Sequence, residues 1–465
     1  VDESALRSRS LWLDQLPGPL VARPPLAGSR DADVAVVGAG YTGLWTAWSL
    51  LRADPSLRVV VIEREAVGFG ASGRNGGWCV GELAGGLHGA VAAYGRDAGV
   101  ALTRAVMDTV AEVGRTVAAE SIDCGFAAGG VIRLARTVPQ LDRQCEEIEA
   151  YRARGFGEET MRLLDAAETA ERLAASRVLG GLFYAPAARV QPAALARGLA
   201  DAVERRGGLV VEGTTVRAVT GRTATSPATV TTDHGVVRAE TVVVATEAYT
   251  RDLPGRRRDL VPLYSLMVAT EPLPAEVWER IGLRDRETFA DDRRMVIYGQ
   301  RTTDDRIAFG GRGAPYRFGS GIDPTTEASS DVHDRIVETL RELVPAAGDA
   351  AVTHRWGGVL GVPRDWRPSV GVDRSTGLAW AGGYVGEGVA AANLAGRTLA
   401  DLITGASTPL VTLPWVGRRS RRWEPEPVRW LAINGARRLA GWIDDREERH
   451  QRTPWSASLL DRIVG

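Results

Sequence analysis

At 465 residues with 44% hydrophobic content, the chain exceeds what one core usually supports, so two interleaved domains of a soluble globule are expected. Its 57 basic and 58 acidic residues leave a formal net charge of −1, which gives no reason to expect nucleic acid or another polyanion as a partner. All the basic residues are arginines, and a chain without lysine has no amine base, no Schiff-base former and no lysine proton relay.

Residues 1–30 mix Asp, Glu and Arg with prolines and contain no apolar stretch of signal-peptide length. No uncharged run along the chain is long enough to span a bilayer, so no integral membrane association is expected. Cys79, Cys124 and Cys145 are an odd count without metal-ligand spacing, which fits free thiols, a reducing compartment and a cytoplasmic location, with no metal site.

The first chemical signal is the β-branched run 33–37, which leads directly into Gly38-Ala39-Gly40-Tyr41-Thr42-Gly43 and then into a helix-like segment. Strand, glycine turn and helix stand in the order a dinucleotide site requires. Gly38 permits the tight turn, Gly40 lets backbone approach a pyrophosphate at the helix N-terminus, and Gly43 lets helix and strand pack closely. A second strand over 58–62 ends at Glu63, placed to accept hydrogen bonds from the ribose hydroxyls of an adenosine, with Arg64 beside it. The following loop, 68–79, holds five glycines between Gly68 and Gly77, so its N–H groups are free to face phosphate or ring oxygens. Gly70, Ala71, Ser72, Asn75, Gly76 and Gly77 are assigned to the cofactor on that ground, and Arg74 is expected to add fixed positive charge.

Further along, residues 94–173 read as helical, and Gln191-Pro192 opens another helix. The run 209–216 reads as a strand ending at Val216, near the adenine in such folds, and 241–245 as a buried strand ending in Ala245 and Thr246. Strands of a second domain are expected over 263–270, 295–301 and 306–313. A late strand from 378 enters a glycine cluster containing Gly383, Gly386, Gly388 and Val389, and a helix follows. No second dinucleotide fingerprint occurs, which argues for FAD over a nicotinamide and against a flavin hydroxylase with its own reductant site. In the tail, Val428, Leu431, Leu439 and Trp442 form a candidate apolar stripe with Arg429, Arg437 and Arg438 on other faces, suited to docking on the chain's own second domain or, less well, to a membrane surface.

The segment 70–77, GASGRNGG, together with 306–313 and 356–371, resembles the D-amino acid oxidase superfamily, and within it the γ-glutamylputrescine oxidase-like branch. The resemblance covers roughly residues 31–405 and implies an α/β protein with a glutathione-reductase-type FAD-binding Rossmann domain and a discontinuous α+β substrate domain containing an antiparallel sheet. The expected division is 31–93, 187–258 and 350–405 for noncovalent FAD, 94–186 and 259–349 for substrate, and 406–465 as a helical tail. It implies oxidation of a primary or secondary amine, with electrons passed to oxygen or another acceptor. An amino acid or N-methyl amino acid oxidase, or an FAD-holding scaffold without turnover, are the alternatives; the oligomeric state is not legible.

Two departures bear on substrate. Glycine oxidases carry an arginine where this sequence has Leu360, and sarcosine oxidases a lysine where it has Ala390, so both familiar basic anchors are missing. Among the 13 tryptophans and nine tyrosines, Tyr298, Tyr384 and Trp356 are the candidates for orienting an amine by cation–π and apolar contact, although most such residues pack cores. His234 and His354 read as loop or packing residues, and Cys79 as a buried hydrophobe more than a flavin attachment point.

Overall fold

In a computed structural model covering residues 2–328, 330–458 and 460, the run Arg30–Val37 forms the middle of an eight-stranded sheet. Its neighbours Val59–Ile62 and Val236–Val244 both run parallel to it, with Leu209–Val211 outside the first and Leu378–Gly382 outside the second. All four residues of Val59–Ile62 are buried, because helices cover one face, packing on Val59 and Val61, and the antiparallel strands Val216–Thr220 and Ala228–Thr232 cover the other, packing on Val60 and Ile62, so the strand becomes continuously apolar. From Arg30–Val37 the chain passes through the helix Tyr41–Ala53 to one side, and Val236–Val244 returns on the other. The strand order therefore reverses at the carboxyl ends of these two strands, and the reversal opens a crevice where a ligand can sit. The expected strand over 209–216 is broken: it stops at Val211, and Val216–Thr220 belongs to a separate antiparallel layer. The break comes from Glu212, whose buried carboxylate accepts the N–H groups of Arg23 and Val67.

The second sheet also has eight strands, in the order Val352–Val362, Val261–Thr270, Ile307–Gly311, Ile297–Arg301, Thr288–Asp291, Val131–Ala135, Gly180–Tyr184 and Met161–Leu164. Every pairing is antiparallel except that of Thr288–Asp291 with Val131–Ala135. Two segments differ from the expected division. Val352–Val362, expected with the first domain, pairs along Val261–Thr270 and forms the edge of the second sheet facing the first. The helix Arg96–Ala119, expected with the second, packs its Leu102, Val106, Val110 and Val113 into the core shared with Trp45 and Ala391. The region 94–173 is not all helix, since the short apolar runs Val131–Ala135 and Met161–Leu164 are drawn into the sheet.

The two ends of the chain brace this assembly. Short helices Glu3–Arg7 and Leu11–Asp14 bury Leu11, Trp12 and Leu13, and Trp12 meets Trp356 edge-on at 6.0 Å between ring centroids. The tail helix Val428–His450 docks on the second sheet, but with the opposite face from the one its apolar stripe suggests. Val428, Leu431 and Trp442 are exposed, while Arg429, Asn434 and Glu447 are buried. Hydrogen bonding accounts for the buried polar residues: the docking surface offers orphan polar groups beside the apolar contacts of Ala440 and Ile443 with Met295 and of Ile433 with the Tyr316 cluster. The Asp444 carboxylate accepts the N–H groups of Arg294 and Met295, both at 2.8 Å, and Glu447 pairs with Arg143 at 3.0 Å. Asn434 accepts the Tyr316 N–H at 3.1 Å and donates to the Tyr316 carbonyl at 3.0 Å. Asn434→Ala leaves both Tyr316 groups unpaired in a buried contact and is expected to cost roughly 1–3 kcal/mol. Urea denaturation checks it, and an unshifted midpoint would show that water replaces the amide without loss.

Candidate active site

The glycine turn is built as its sequence requires. Gly38 has φ +104°, and a Cβ there would lie 2.6 Å from the Ala245 carbonyl oxygen, so only glycine serves. At Gly43 a Cβ would lie 2.0 Å from the Gly38 oxygen, and its absence lets the helix sit directly on the turn. Behind the turn, one Glu63 oxygen accepts the Ala39 N–H at 2.8 Å and the other the Glu65 N–H at 3.0 Å. Burial raises the Glu63 pKa, and these two N–H groups oppose the rise.

The loop that follows is held by its oxygens. Five successive carbonyls each receive a donor from outside the loop: Gly73 from the Ser10 hydroxyl, Arg74 from the Trp356 indole, Asn75 from the Trp12 indole, Gly76 from the Gln300 amide and Gly77 from the Val190 N–H. The N–H groups of Asn75 and Gly76 have no acceptor among the described residues, and both residues line open space.

That space is a chain of three recesses of about 460, 70 and 90 Å³, successive members sharing wall residues. The first is lined by Gly38, Gly40, Tyr41, Thr42, Glu63, Arg64, Gly70, Ala71, Ser72, Val216, Ala245 and Thr246. Asn75, Tyr384, Gly386, Gly388 and Val389 line the second. In the third, Gly76, Trp78 and Tyr298 face Leu360, Arg312 and Glu387. Tyr384 shares a 3.0 Å hydrogen bond with Thr42, and Tyr298 a 2.6 Å bond with Ser265 while meeting Trp78 edge-on at 5.9 Å.

Four expected residues play other parts, and a fifth plays a different part within the site. Gly43 and Gly77 line none of these recesses and serve packing, a Cβ at Gly77 falling 2.0 Å from the Gln300 amide nitrogen. Gly383 lines none of these recesses and donates its N–H to Glu247 at 2.9 Å. Trp356 is 1% exposed and lines no recess, because its strand turns the indole toward Trp12 and the Arg74 carbonyl. Arg74 lines the third recess, but its guanidinium pairs with Glu327 at 2.5 Å and donates to the Tyr249 hydroxyl at 3.0 Å, so its charge is directed at them.

Three charged residues of the site are not marked as functional by the sequence, although Arg312 lies in the segment 306–313 and Glu387 between Gly386 and Gly388. Glu247, at φ +42°, has one oxygen bonded to the N–H groups of Gly383 and Tyr384 and the other unpartnered, on the wall of the first two recesses. Arg312 follows a strand whose glycines mark it only as a supporting segment, and it donates to the Val385 carbonyl at 2.5 Å. Glu387 precedes the helix Gly388–Thr404 without capping it, and its side chain makes no hydrogen bond or ion pair among the described residues. Burial raises its pKa, and Arg312 opposes the rise.

The glycines that admit no Cβ, the free N–H groups of the loop and the unpartnered Glu247 oxygen all fit a flavin dinucleotide. Together with the two-sheet fold they define an FAD-dependent oxidoreductase. Residues 33–402 match the DAO family, described as FAD dependent oxidoreductase, and the chain belongs to that family. It is 31% identical over 404 residues to the gamma-glutamylputrescine oxidoreductase of Escherichia coli, an alignment covering 85% of this chain and 90% of that one. Glycine oxidase of Geobacillus kaustophilus is 26% identical over 393 residues, and its crystal structure superposes with a TM-score of 0.70, covering 84% of this chain and 99% of that one. L-proline dehydrogenase from P. horikoshii shares the fold with a TM-score of 0.68 at 20% identity, covering 83% of this chain and 96% of that one. The enzyme is thus a noncovalent FAD oxidoreductase of a family acting on amines or amino acids. Cys79 is fully buried, and burial pushes its thiol far above the usual range. No helix among the described residues is long and apolar enough to cross a membrane.

Glu247 carries a pH signature. Burial pushes its pKa up to about 7, above the unfolded carboxyl value, so the unfolded chain releases its proton first. The stability this group contributes is therefore fullest at acid pH and is lost as pH rises toward 7, with a slope of at most about 1.4 kcal/mol per pH. In the apoprotein, Glu247→Gln is expected to flatten the decline of the denaturation midpoint between about pH 5 and about pH 8. Parallel curves for the two proteins would reject the assignment.

Proposed function

We propose that the enzyme oxidises a primary or secondary amine, R–CHR″–NH–R′, to an imine that hydrolyses to an aldehyde or ketone and a smaller amine or ammonia. The observation that carries this reading is Glu387, an unpaired carboxylate in the third recess between the Trp78–Tyr298 pair and the late glycine turn. Bound FAD supplies the acceptor for the electron pair as carbon gives up hydride. Glu387 holds the substrate ammonium and takes its proton, leaving the neutral amine that such a transfer needs. Its raised pKa makes it a better base than an exposed carboxylate. Trp78 and Tyr298 wall the recess, exclude water and offer aromatic faces to a cation.

Arg312 favours a second reading, in which an amino acid places its carboxylate against the guanidinium. The gamma-glutamylputrescine oxidoreductase relative supports the first reading, and the glycine oxidase relative supports the second. Anaerobic mixing with simple alkylamines, N-methyl amines and α-amino acids separates them. Bleaching of the oxidised flavin by amines and not by α-amino acids is expected, and Glu387→Gln is expected to lower the second-order rate of bleaching at least about tenfold. An unchanged spectrum across the panel would leave the chain an FAD-holding scaffold.

The acceptor follows from the missing lysine. A lysine placed above the flavin, as in sarcosine oxidases, would stabilise charge developing on oxygen. This chain has Ala390 at that place in the sequence, fully buried in its helix, and Arg312 is the cation lining the third recess whose charge is not held by a carboxylate. Reoxidation by oxygen is expected to be slower than in a lysine-bearing sarcosine oxidase measured alongside by stopped flow. An equal second-order rate would dismiss this account and make oxygen the natural acceptor.

A further inference from the structure

Past Arg312 the third recess meets a larger one of about 740 Å³, between the second sheet and the tail helix, and the two share Ile297 and Arg312 in their walls. The charge on this larger wall does not balance locally. Arg312, Arg335, Arg437 and Arg438 line it, and none forms an ion pair among the described residues. Of the five carboxylates on the same wall, Asp291, Glu447 and Glu448 are held by other arginines, and Asp444 by two backbone N–H groups. Only Asp445 remains.

Arg437 is the clearest case. One of its terminal nitrogens donates to the Gly313 carbonyl at 3.0 Å, while its Nε is buried with no partner. Burial and the neighbouring charges of Arg438 and Arg335 depress its pKa, so the folded chain holds three guanidiniums together at a cost. A monoanion seated among them removes that cost and gains charge-assisted hydrogen bonds. Asp445 on the same wall limits the positive surplus, which suits a carboxylate better than a phosphate. Arg437 and Arg438 lie beyond residue 402, where the family match ends, and Arg312 and Arg335 lie within it.

We propose that this recess is a carboxylate-binding site for the far end of the substrate: the enzyme takes amines that carry a carboxylate separated by a spacer from the C–N bond it oxidises. Glu387 receives the cationic nitrogen, and Arg335, Arg437 and Arg438 receive the anionic tail, with Arg312 between them. The proposal rests on the amine-oxidation reading, and two measurements keep their failures apart. Calorimetry on the FAD-loaded enzyme with glutarate and with its diamide reads the site without turnover. Glutarate is expected to bind and the diamide not, and R335Q/R437Q is expected to weaken glutarate roughly tenfold. Arg335 is exposed, so R335Q alone preserves the test if the double variant does not fold. Anaerobic flavin reduction by an ω-amino carboxylate and its carboxamide reads the substrate: the wild-type preference for the carboxylate is expected to collapse in the variants. Equal glutarate binding by wild type and variants, or loss of both substrates in equal proportion, would overturn the site. Variant-sensitive glutarate binding without flavin reduction by any amine would uphold the anion site and end the amine reading.

Discussion

The active site depends on where one loop's carbonyl oxygens go. From Gly73 to Gly77 every peptide oxygen is bound outward, to a serine, two indoles, an amide and a backbone N–H drawn from four separate stretches of chain. A peptide unit is a dipole, so fixing five oxygens against the body fixes the opposite ends as well. The N–H groups of Asn75 and Gly76 are left as donors in advance, with no reorganisation needed when a flavin arrives. The N-terminal helices and the edge strand Val352–Val362 belong to the cofactor site in this sense. Trp12 and Trp356 hold neighbouring peptides of the same loop and pack against each other.

Around this loop the fold arranges charge by depth. Glu63 and Glu247 are buried against backbone N–H groups on the dinucleotide side, where a carboxylate is held by several weak dipoles and no countercharge. Arg74, one residue before the flavin-facing amides, is neutralised by Glu327, so it does not compete with them for the ligand. In the third recess two opposite charges, Glu387 and Arg312, stand on one wall without forming an ion pair. A protein that pairs most of its buried ions and leaves these two to a ligand has located its own chemistry.

The cofactor half of this arrangement is legible in sequence because its constraints are local. Gly38, Gly40, Gly43 and Glu63 answer to a turn and two strands within a single βαβ unit, so spacing alone carries the signal. The third recess is not local. Arg312 follows a strand of one sheet, Glu387 precedes a helix of the other, and only the packing of the two sheets brings them to one wall. The strand Val352–Val362 escapes a reading by chain order for the same reason: it belongs with the second domain in space and with the first in sequence. Hydropathy misleads for the tail helix because its docking face is chosen by orphan N–H and carbonyl groups of the body. A polar residue such as Asn434 or Asp444 satisfies those groups, and a leucine does not.

The arginine-lined wall between sheet and tail has a further chemical meaning. An aldehyde leaving the third recess past Arg312 would meet guanidiniums, which stay protonated and do not condense with it at neutral pH. A lysine at any of these positions would trap the product as an imine and block its own exit. The whole chain has no lysine side chain to offer, so the surface that conducts such a product is also inert toward it.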